Sequence, residues 1–390
     1  MLQEIELYIH IPFCVRKCNY CDFLSFPDGE EMQNSYVDAL CQEISCAGEY
    51  LRYGRDYQVR SIFLGGGTPS VLSIYNTGRI LSLVSQHFTL APDAEISMEA
   101  NPGTLSPEKL VSYRNAGVNR LSIGLQSADD GCLRMLGRIH SWQEFCENYE
   151  EARKAGFDNI NIDIMSALPG QSLESYLHTL KEVTALRPEH ISSYSLILEE
   201  GTPLYDDEPL LKLLPDEETD RRMYEMTKKI LDEEGYHRYE ISNYAREGKE
   251  CIHNLGYWED VPYLGFGLGA SSYWKEKKNP QGQEKYLRFS NVRDLGSYIK
   301  SPFLPFEERE EYQELSREER MAEYMFLGLR KIRGVDLGDF RDRFGCDMES
   351  IYGKPIYKFL DLGLLIMENG RLALTEEGIN VSNQIFCEFI

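Results

Sequence analysis

Positive charge is scarce in this sequence: 41 Lys and Arg stand against 64 Asp and Glu, a formal net charge of −23. Phosphate contacts need clustered cations to displace counterions, so general nucleic-acid binding is excluded. Long apolar runs are missing as well. No stretch approaches 18 uninterrupted apolar residues, and Met1 to Tyr8 has neither the basic start nor the apolar run of a secretory leader. A cytoplasmic protein without a membrane span is expected. In such a compartment the ten cysteines are expected as thiols that bind metal or pack as small apolar groups. Seven are scattered: Cys41, Cys46, Cys132, Cys146, Cys251, Cys346 and Cys387. The other three are clustered.

At 390 residues the chain exceeds the size at which one core usually stops growing, which predicts a large domain and a smaller one. Six short β-branched or alternating runs begin near Leu7, Ser61, Glu95, Arg120, Asn159 and His190. Helical patterns follow them, the mark of parallel βα units. Examples are Gln33 to Tyr53, with Tyr36, Leu40 and Ile44 on one face, and Ser141 to Ala155, opened by a Ser cap and closed by Gly156. Six units are too few to close an eight-stranded barrel but fit a partly open one, an α/β partial (β/α)6 TIM-like barrel. Site residues then belong just past each strand, where Cys14, Gly66, Glu99, Gln126, Asp163 and the Ile197 to Glu199 stretch fall; a lone acid there can equally be a helix cap. The expected divisions are a barrel core over 1–204, an extension over 205–300, and a small C-terminal winged-helix-like α+β domain over 301–390. A polar loop with Pro280 and Gly282 precedes the last domain, which reads as three short helices and a hairpin turning at Asn369-Gly370. Acids outnumber bases in it, which argues against DNA binding.

Cys14-x₃-Cys18-x₂-Cys21 follows the first strand in the frame YIHIPFCVRKCNYCDF. Three thiolates cannot complete a tetrahedral zinc site, but they can hold three irons of a cubane and leave the fourth open. The alternatives are a Cys₃His zinc site using His10, or three unrelated thiols. Gly65-Gly66-Gly67-Thr68-Pro69 follows the second strand; by itself it reads as a tight turn, and in context as a place where backbone approaches a ligand.

This frame resembles the radical S-adenosylmethionine superfamily, in particular its oxygen-independent coproporphyrinogen III oxidase-like branch, over nearly the whole chain. The resemblance implies a [4Fe–4S] cluster on Cys14, Cys18 and Cys21, with S-adenosylmethionine on the open iron. It implies that Tyr20 backs the adenine and that Gly66, Gly67 and Thr68, in the GGTP motif, receive the ammonium group. Glu99, Gln126, Arg138 and Asp163 match the family's further ligand contacts, and Tyr8 and Ile197 match ligand-lining positions. From residues alone, Arg138 reads as a solvated helix-end charge. A carboxylate, an amide and a guanidinium suit a zwitterionic ligand, since each gives a charge-matched or bidentate hydrogen bond.

Coproporphyrinogen-oxidising members continue the motif as CxxxCxxCxC and carry a longer segment before the first strand, whereas here Phe23 takes the last cysteine's place and Tyr8 lies eight residues from the start. His253-Asn-Leu-Gly-Tyr257-Trp258 resembles the HNxxYW motif of the heme chaperone (HemW) branch, which implies heme binding. Imidazole is a good axial ligand and aromatic faces suit a porphyrin; the plainer reading is a locally packed His253 among core aromatics. The implied partners are heme, a heme-acceptor protein and a flavodoxin- or ferredoxin-type electron donor, with peripheral membrane contact compatible. A coproporphyrinogen III dehydrogenase and a non-catalytic iron–sulfur carrier are the rival readings.

Overall fold

Strand β1 (Gln3–Ile11) sets the pattern of the fold: Ile5, Leu7, Ile9 and Ile11 are buried in the main core, while Glu6, Tyr8 and His10 alternate onto the opposite face. The structure, a computed structural model, describes residues 2–51, 57–276, 284–305 and 308–390; the loop with Pro280 and Gly282 lies outside them.

Five further parallel strands follow: β2 (Tyr57–Gly66), β3 (Leu90–Ala100), β4 (Arg120–Gln126), β5 (Ile160–Ser166) and β6 (His190–Ser195). Between them lie helices α1 (Glu30–Tyr50), α2 (Ile74–His87), α3 (Pro107–Asn115), α4 (Asp130–Met135), α5 (Trp142–Lys154) and α6 (Leu173–Ala185). Tyr36, Leu40 and Ile44 of α1 are fully buried, as their spacing predicts. Helix α5 opens on a capping box between Ser141 and Glu144, and Gly156 beyond its end has φ +89°. The six predicted strands are all present. The helix-facing residues of these strands are apolar, but the other face carries Glu6, Ser61, Glu95, Ser97, Arg120, Ser122, Asn161 and His190, all buried. Such a lining is tolerated only where the groups satisfy one another or a ligand.

The sheet is open and longer than the six units. Helices α7 (Glu208–Leu211) and α8 (Glu217–Glu233) lead to β7 (His237–Arg238) and β8 (Asn243–Ala245), which extend it antiparallel beyond β6. Helix α9 (Ile252–Trp258) then leads to β9 (Tyr263–Phe266), parallel to β1 on its other side. Strands β10 (Ser271–Glu276) and β11 (Lys285–Ser290), helix α10 (Leu295–Lys300) and strand β12 (Glu310–Glu314) complete, among the described residues, a sheet of twelve strands. Because β12 pairs with β11, a unit counted from residue 301 shares a strand with the barrel sheet.

A second core runs from Met321 to Phe389. It gathers α11 (Arg317–Gly328), β13 (Val335–Asp336), α12 (Leu337–Phe344), α13 (Met348–Asp361) and the hairpin of β14 (Leu365–Glu368) and β15 (Arg371–Leu374). Asn369 (φ +51°) and Gly370 (φ +75°) form the left-handed pair that a type I′ turn requires. Two further short helices, α14 (Glu376–Asn380) and α15 (Ser382–Phe386), follow the hairpin beyond the three expected. The small unit is tied to the barrel through Arg238 to Glu376 (2.6 Å) and Arg343 to Asp260 (3.1 Å). Among the described residues no helix is long and apolar enough to cross a membrane.

Candidate cofactor site

The cysteine loop leaves β1 and is fixed at three points. The Cys14 amide donates to the Phe26 carbonyl and the Phe26 amide to that of Pro12, while Phe13 packs edge-on against Phe26 and Tyr36. Asn19 is held by the carbonyls of Met135 and Leu136. His10 Nε2 lies 2.9 Å from the Leu24 carbonyl and Nδ1 lies 3.0 Å from the Tyr8 hydroxyl. With both nitrogens engaged, His10 positions the loop and offers no lone pair to a metal, which removes the Cys₃His alternative.

Cys14, Cys18 and Cys21 are partly exposed free thiols. Among the described residues no three Cys, His, Asp or Glu side chains converge as one ion would require. The sulfurs of a cubane sit on separate irons and so stand farther apart. Two of the thiols have side-chain donors: Thr68 Oγ1 lies 3.4 Å from Cys14 Sγ and Arg138 Nη1 3.7 Å from Cys18 Sγ. Between those donors stands Asn101, which gives a hydrogen bond to Thr68 Oγ1 (2.8 Å) and accepts one from Arg138 Nη2 (2.7 Å). Cys14, Thr68, Asn101, Arg138 and Cys18 thus form one connected bracket around the loop. Arg138 also donates to the Gly124 carbonyl; it is a structural cation of this bracket and not the solvated helix end its local sequence suggests.

The turn after β2 slides under the loop. Gly66 has φ +105°, and a Cβ there would overlap the His10 ring; a Cβ on Gly67 would stand 2.7 Å from the Phe13 carbonyl and 2.8 Å from that of Ile11. Only glycine fits either position. A cavity of about 470 Å³ opens above, at the C-terminal ends of the strands. It is lined by the three cysteines together with Tyr20, Gly66, Gly67, Thr68, Glu99, Gln126, Arg138, Asp163 and Ile197. Of the expected contacts here only Tyr8 is absent from the lining, because its hydroxyl is committed to His10. Glu99 and Asp163 lie within β3 and β5 instead of past their ends, and the inward alternation of each strand turns them to the cavity.

Glu99 accepts from the Gly66 amide (3.1 Å), yet burial, with Asp163 adding to it, pushes its carboxyl up to about 8. Burial also raises Asp163, against hydrogen bonds led by that from Asn161. Two carboxylates facing a desolvated space favour a ligand that brings positive charge. Arg138 stands by for a negative one. An S-adenosylmethionine carries a sulfonium, an ammonium and a carboxylate, so the donor set suits it, and three thiols bracketed by Thr68 and Arg138 suit a cubane. Sequence reasoning missed Asn101, Ser122 and Tyr194, which also line the cavity. Tyr194 donates to Gln126 Oε1 at 3.0 Å. Asn101 follows Glu99 by two residues and so shares its face, a signal that strand alternation alone carried.

The HNxxYW segment is elsewhere. It forms α9, seated on the opposite end of the barrel: Ser61, which contacts it, precedes Gly66 by about 16 Å of extended strand. His253 is 1% exposed. Its Nδ1 lies 2.8 Å from Ser61 Oγ, its Nε2 lies 3.0 Å from the Tyr257 hydroxyl, and its ring stacks on Phe63. Burial, with Arg60 and Arg120 nearby, pushes its pKa down to about 3. With α9 seated, neither imidazole nitrogen of His253 is free and Tyr257 is engaged by His253. Trp258 lies beneath the Arg330 guanidinium.

Comparison with known proteins accords with this geometry. Residues 8–183 match the radical SAM superfamily and residues 315–381 the HemN C-terminal domain. The heme chaperone HemW of Lactococcus lactis is 35% identical, with 100% of this chain and 98% of that protein covered. The heme chaperone HemW of Escherichia coli is 43% identical over 78% of each chain. Coproporphyrinogen III oxidase of Escherichia coli, a radical SAM enzyme, has the same fold, with a TM-score of 0.80 at 23% identity over 100% of this chain and 90% of that one. Full-length similarity at this level, on a radical SAM barrel with its three cysteines in place, establishes that the chain belongs to the HemW family of radical SAM proteins.

Proposed function

We propose that this protein binds heme and passes it to an acceptor protein, and that it carries a [4Fe–4S] cluster on Cys14, Cys18 and Cys21 with S-adenosylmethionine in the adjoining cavity. The observation that carries the reading is the end-to-end likeness to proteins named heme chaperones. When bound, the cluster and its ligand supply one-electron chemistry at the sulfonium. The residues do the holding. Gly66, Gly67 and Thr68 offer backbone at close range, Glu99 and Asp163 offset positive charge, and Arg138 with Gln126 takes polar groups of the ligand. Tyr20 supplies a flat face and Ile197, 70% exposed, forms the rim.

The cavity disfavours a coproporphyrinogen substrate with four carboxylates. Its cations are Arg16, Lys17 and Arg138, opposed by Asp22, Glu99, Asp163 and Glu199. The electron donor fits a flavodoxin or ferredoxin type, and a cytoplasmic site with peripheral membrane contact during transfer belongs to the same reading. We divide the chain into the barrel core of 1–204, its extension and the C-terminal unit.

Heme coordination through His253 requires α9 to leave its seat. Anoxic heme titration of the parent, His253→Ala and Cys14→Ala tests the reading. The parent is expected to take up one heme with faster amide exchange in α9, His253→Ala to bind heme about tenfold more weakly, and Cys14→Ala to lose iron. No stoichiometric heme uptake by the parent refutes the chaperone reading; uptake with α9 still protected refutes His253 as ligand.

A further inference from the structure

A continuous line of buried and part-buried hydrogen bonds runs from the seat of α9 to the cavity. The amide of Cys251, the residue capping α9, donates to the Tyr239 hydroxyl at 3.3 Å. That hydroxyl lies 2.8 Å from His190 Nε2, and His190 Nδ1 lies 2.6 Å from Asn161 Oδ1. Asn161 Nδ2 donates to Asp163 Oδ1 at 2.8 Å, and Asp163 lines the cavity.

The direction of every bond follows from chemistry. Asn161 Nδ2 also donates to Ser122 Oγ (2.7 Å), so its amide nitrogen faces the carboxylate and its oxygen faces His190. His190 Nδ1 must then carry the proton, which leaves Nε2 as an acceptor. Tyr239 gives its one hydrogen to Nε2 and accepts the Cys251 amide. The imidazole is fully buried, and burial with Arg120 nearby keeps it neutral, the form with one donor and one acceptor. Four successive donors therefore point toward Asp163, and aligned hydrogen bonds polarise one another.

We propose that Tyr239, His190 and Asn161 are positioning residues that hold the Asp163 carboxyl aimed into the cavity, and that through them the seating of α9 is coupled to occupancy of the cavity. The inference rests on the reading of Asp163 as a ligand contact. Its physical content is reciprocity. If a seated α9 strengthens the chain and so the hold on a cationic ligand, that ligand must strengthen the seating of α9 by the same factor. The helix at stake is the one whose His253 is hidden while seated, so cavity occupancy would bias the exposure of His253.

Tyr239→Phe removes the central hydroxyl while keeping the ring that meets His190 edge-on. It leaves in place the main-chain bond from the Ile332 amide to the Tyr239 carbonyl. The experiment uses cluster-reconstituted protein under anoxic conditions. S-adenosylmethionine affinity is measured by equilibrium dialysis and amide exchange over 252–258 by mass spectrometry, with and without S-adenosylmethionine. In the parent, S-adenosylmethionine is expected to slow exchange in α9. In Tyr239→Phe the affinity is expected to fall roughly fivefold and the slowing to disappear. The parent comparison needs no variant, so a poorly folding Tyr239→Phe leaves the proposal testable. If the parent binds S-adenosylmethionine with α9 exchange unchanged, or the variant keeps the slowing, the coupling is overturned and the cavity assignment stands. If the parent with an intact cluster does not bind, the cavity assignment itself has failed.

Discussion

Glu99 carries the clearest electrostatic consequence at the scale of single residues. Its folded-state carboxyl is raised from 4.5 to about 8, so it disfavours the ligand-free fold progressively as pH rises from 4.5 to 8 and by a constant amount above. Below pH 4.5 the penalty vanishes. Glu99→Gln, whose amide oxygen still accepts from Gly66, is expected to match the parent at pH 4 and exceed its stability at pH 8 by on the order of 2 kcal/mol, allowing for water in the cavity. Urea titrations of cluster-free protein at the two pH values measure this. The same variant is expected to bind S-adenosylmethionine more weakly, because the carboxylate that costs stability is the one a cation neutralises. Equal stability at both pH values would show that Glu99 is not desolvated.

Asn101 supports a second prediction. It is the middle of the bracket from Cys14 to Cys18, touching Thr68 on one side and Arg138 on the other. Asn101→Ala is expected to leave iron content near that of the parent, since no cysteine is lost, and to weaken S-adenosylmethionine binding about tenfold through a free Arg138. Iron analysis and equilibrium dialysis separate the two effects; unchanged binding would mean that Arg138 needs no bracing. Arg138 itself was legible only through the family resemblance, because a guanidinium next to a helix end has no local mark of burial.

Among elements, the glycine turn and α9 set the geometry. Gly67→Ala pushes a methyl into the carbonyls of Ile11 and Phe13, and the cysteine loop is the part free to yield. Reconstituted iron is expected to fall well below one cluster per chain in that variant; full occupancy would show that the loop absorbs the clash. Gly256 is the corresponding point of α9, where a Cβ would overlap the Glu6 carboxylate. Gly256→Ala is expected to cost about 1–3 kcal/mol and to raise amide exchange across 252–258, and unaltered exchange would contradict the tight seat described.

The elements also show what a sequence reveals. Strands β1 to β6 announce themselves because each buries an apolar face under helices, and α5 because a capping box and a left-handed glycine bound it. Strand β12 reads EEYQE and is exposed throughout; an edge strand that buries nothing leaves no period to detect. Strands β9 to β11 are short and aromatic, and the pairing of β9 with β1 that brings them into the sheet closes over more than 250 residues of chain. The motif on α9 was visible, and a packed His253 was its plainer reading, but the residues that bury it were not. His253 is hidden by Ser61, Phe63 and Glu6, all far away in sequence.

At the scale of the whole molecule, α9 lies between two bodies. The barrel floor holds its start, where Glu95 accepts from the amides of Ile252 and His253. The C-terminal unit reaches its end, where Arg330 covers Trp258. Tyr239 joins both: its hydroxyl serves the buried chain and its carbonyl receives Ile332 of the small unit. The C-terminal unit thus touches the helix that carries His253, and the polar barrel interior runs from that helix to the cavity at the other end.

All of this depends on a cluster with one iron facing the cavity. Mössbauer spectroscopy of anoxic, ⁵⁷Fe-reconstituted protein, with and without S-adenosylmethionine, tests it most directly. The account predicts four irons per chain with one site distinct from the rest, whose signal alone moves when S-adenosylmethionine is added. Four irons indifferent to S-adenosylmethionine, or a loop that takes zinc and no iron, would contradict it.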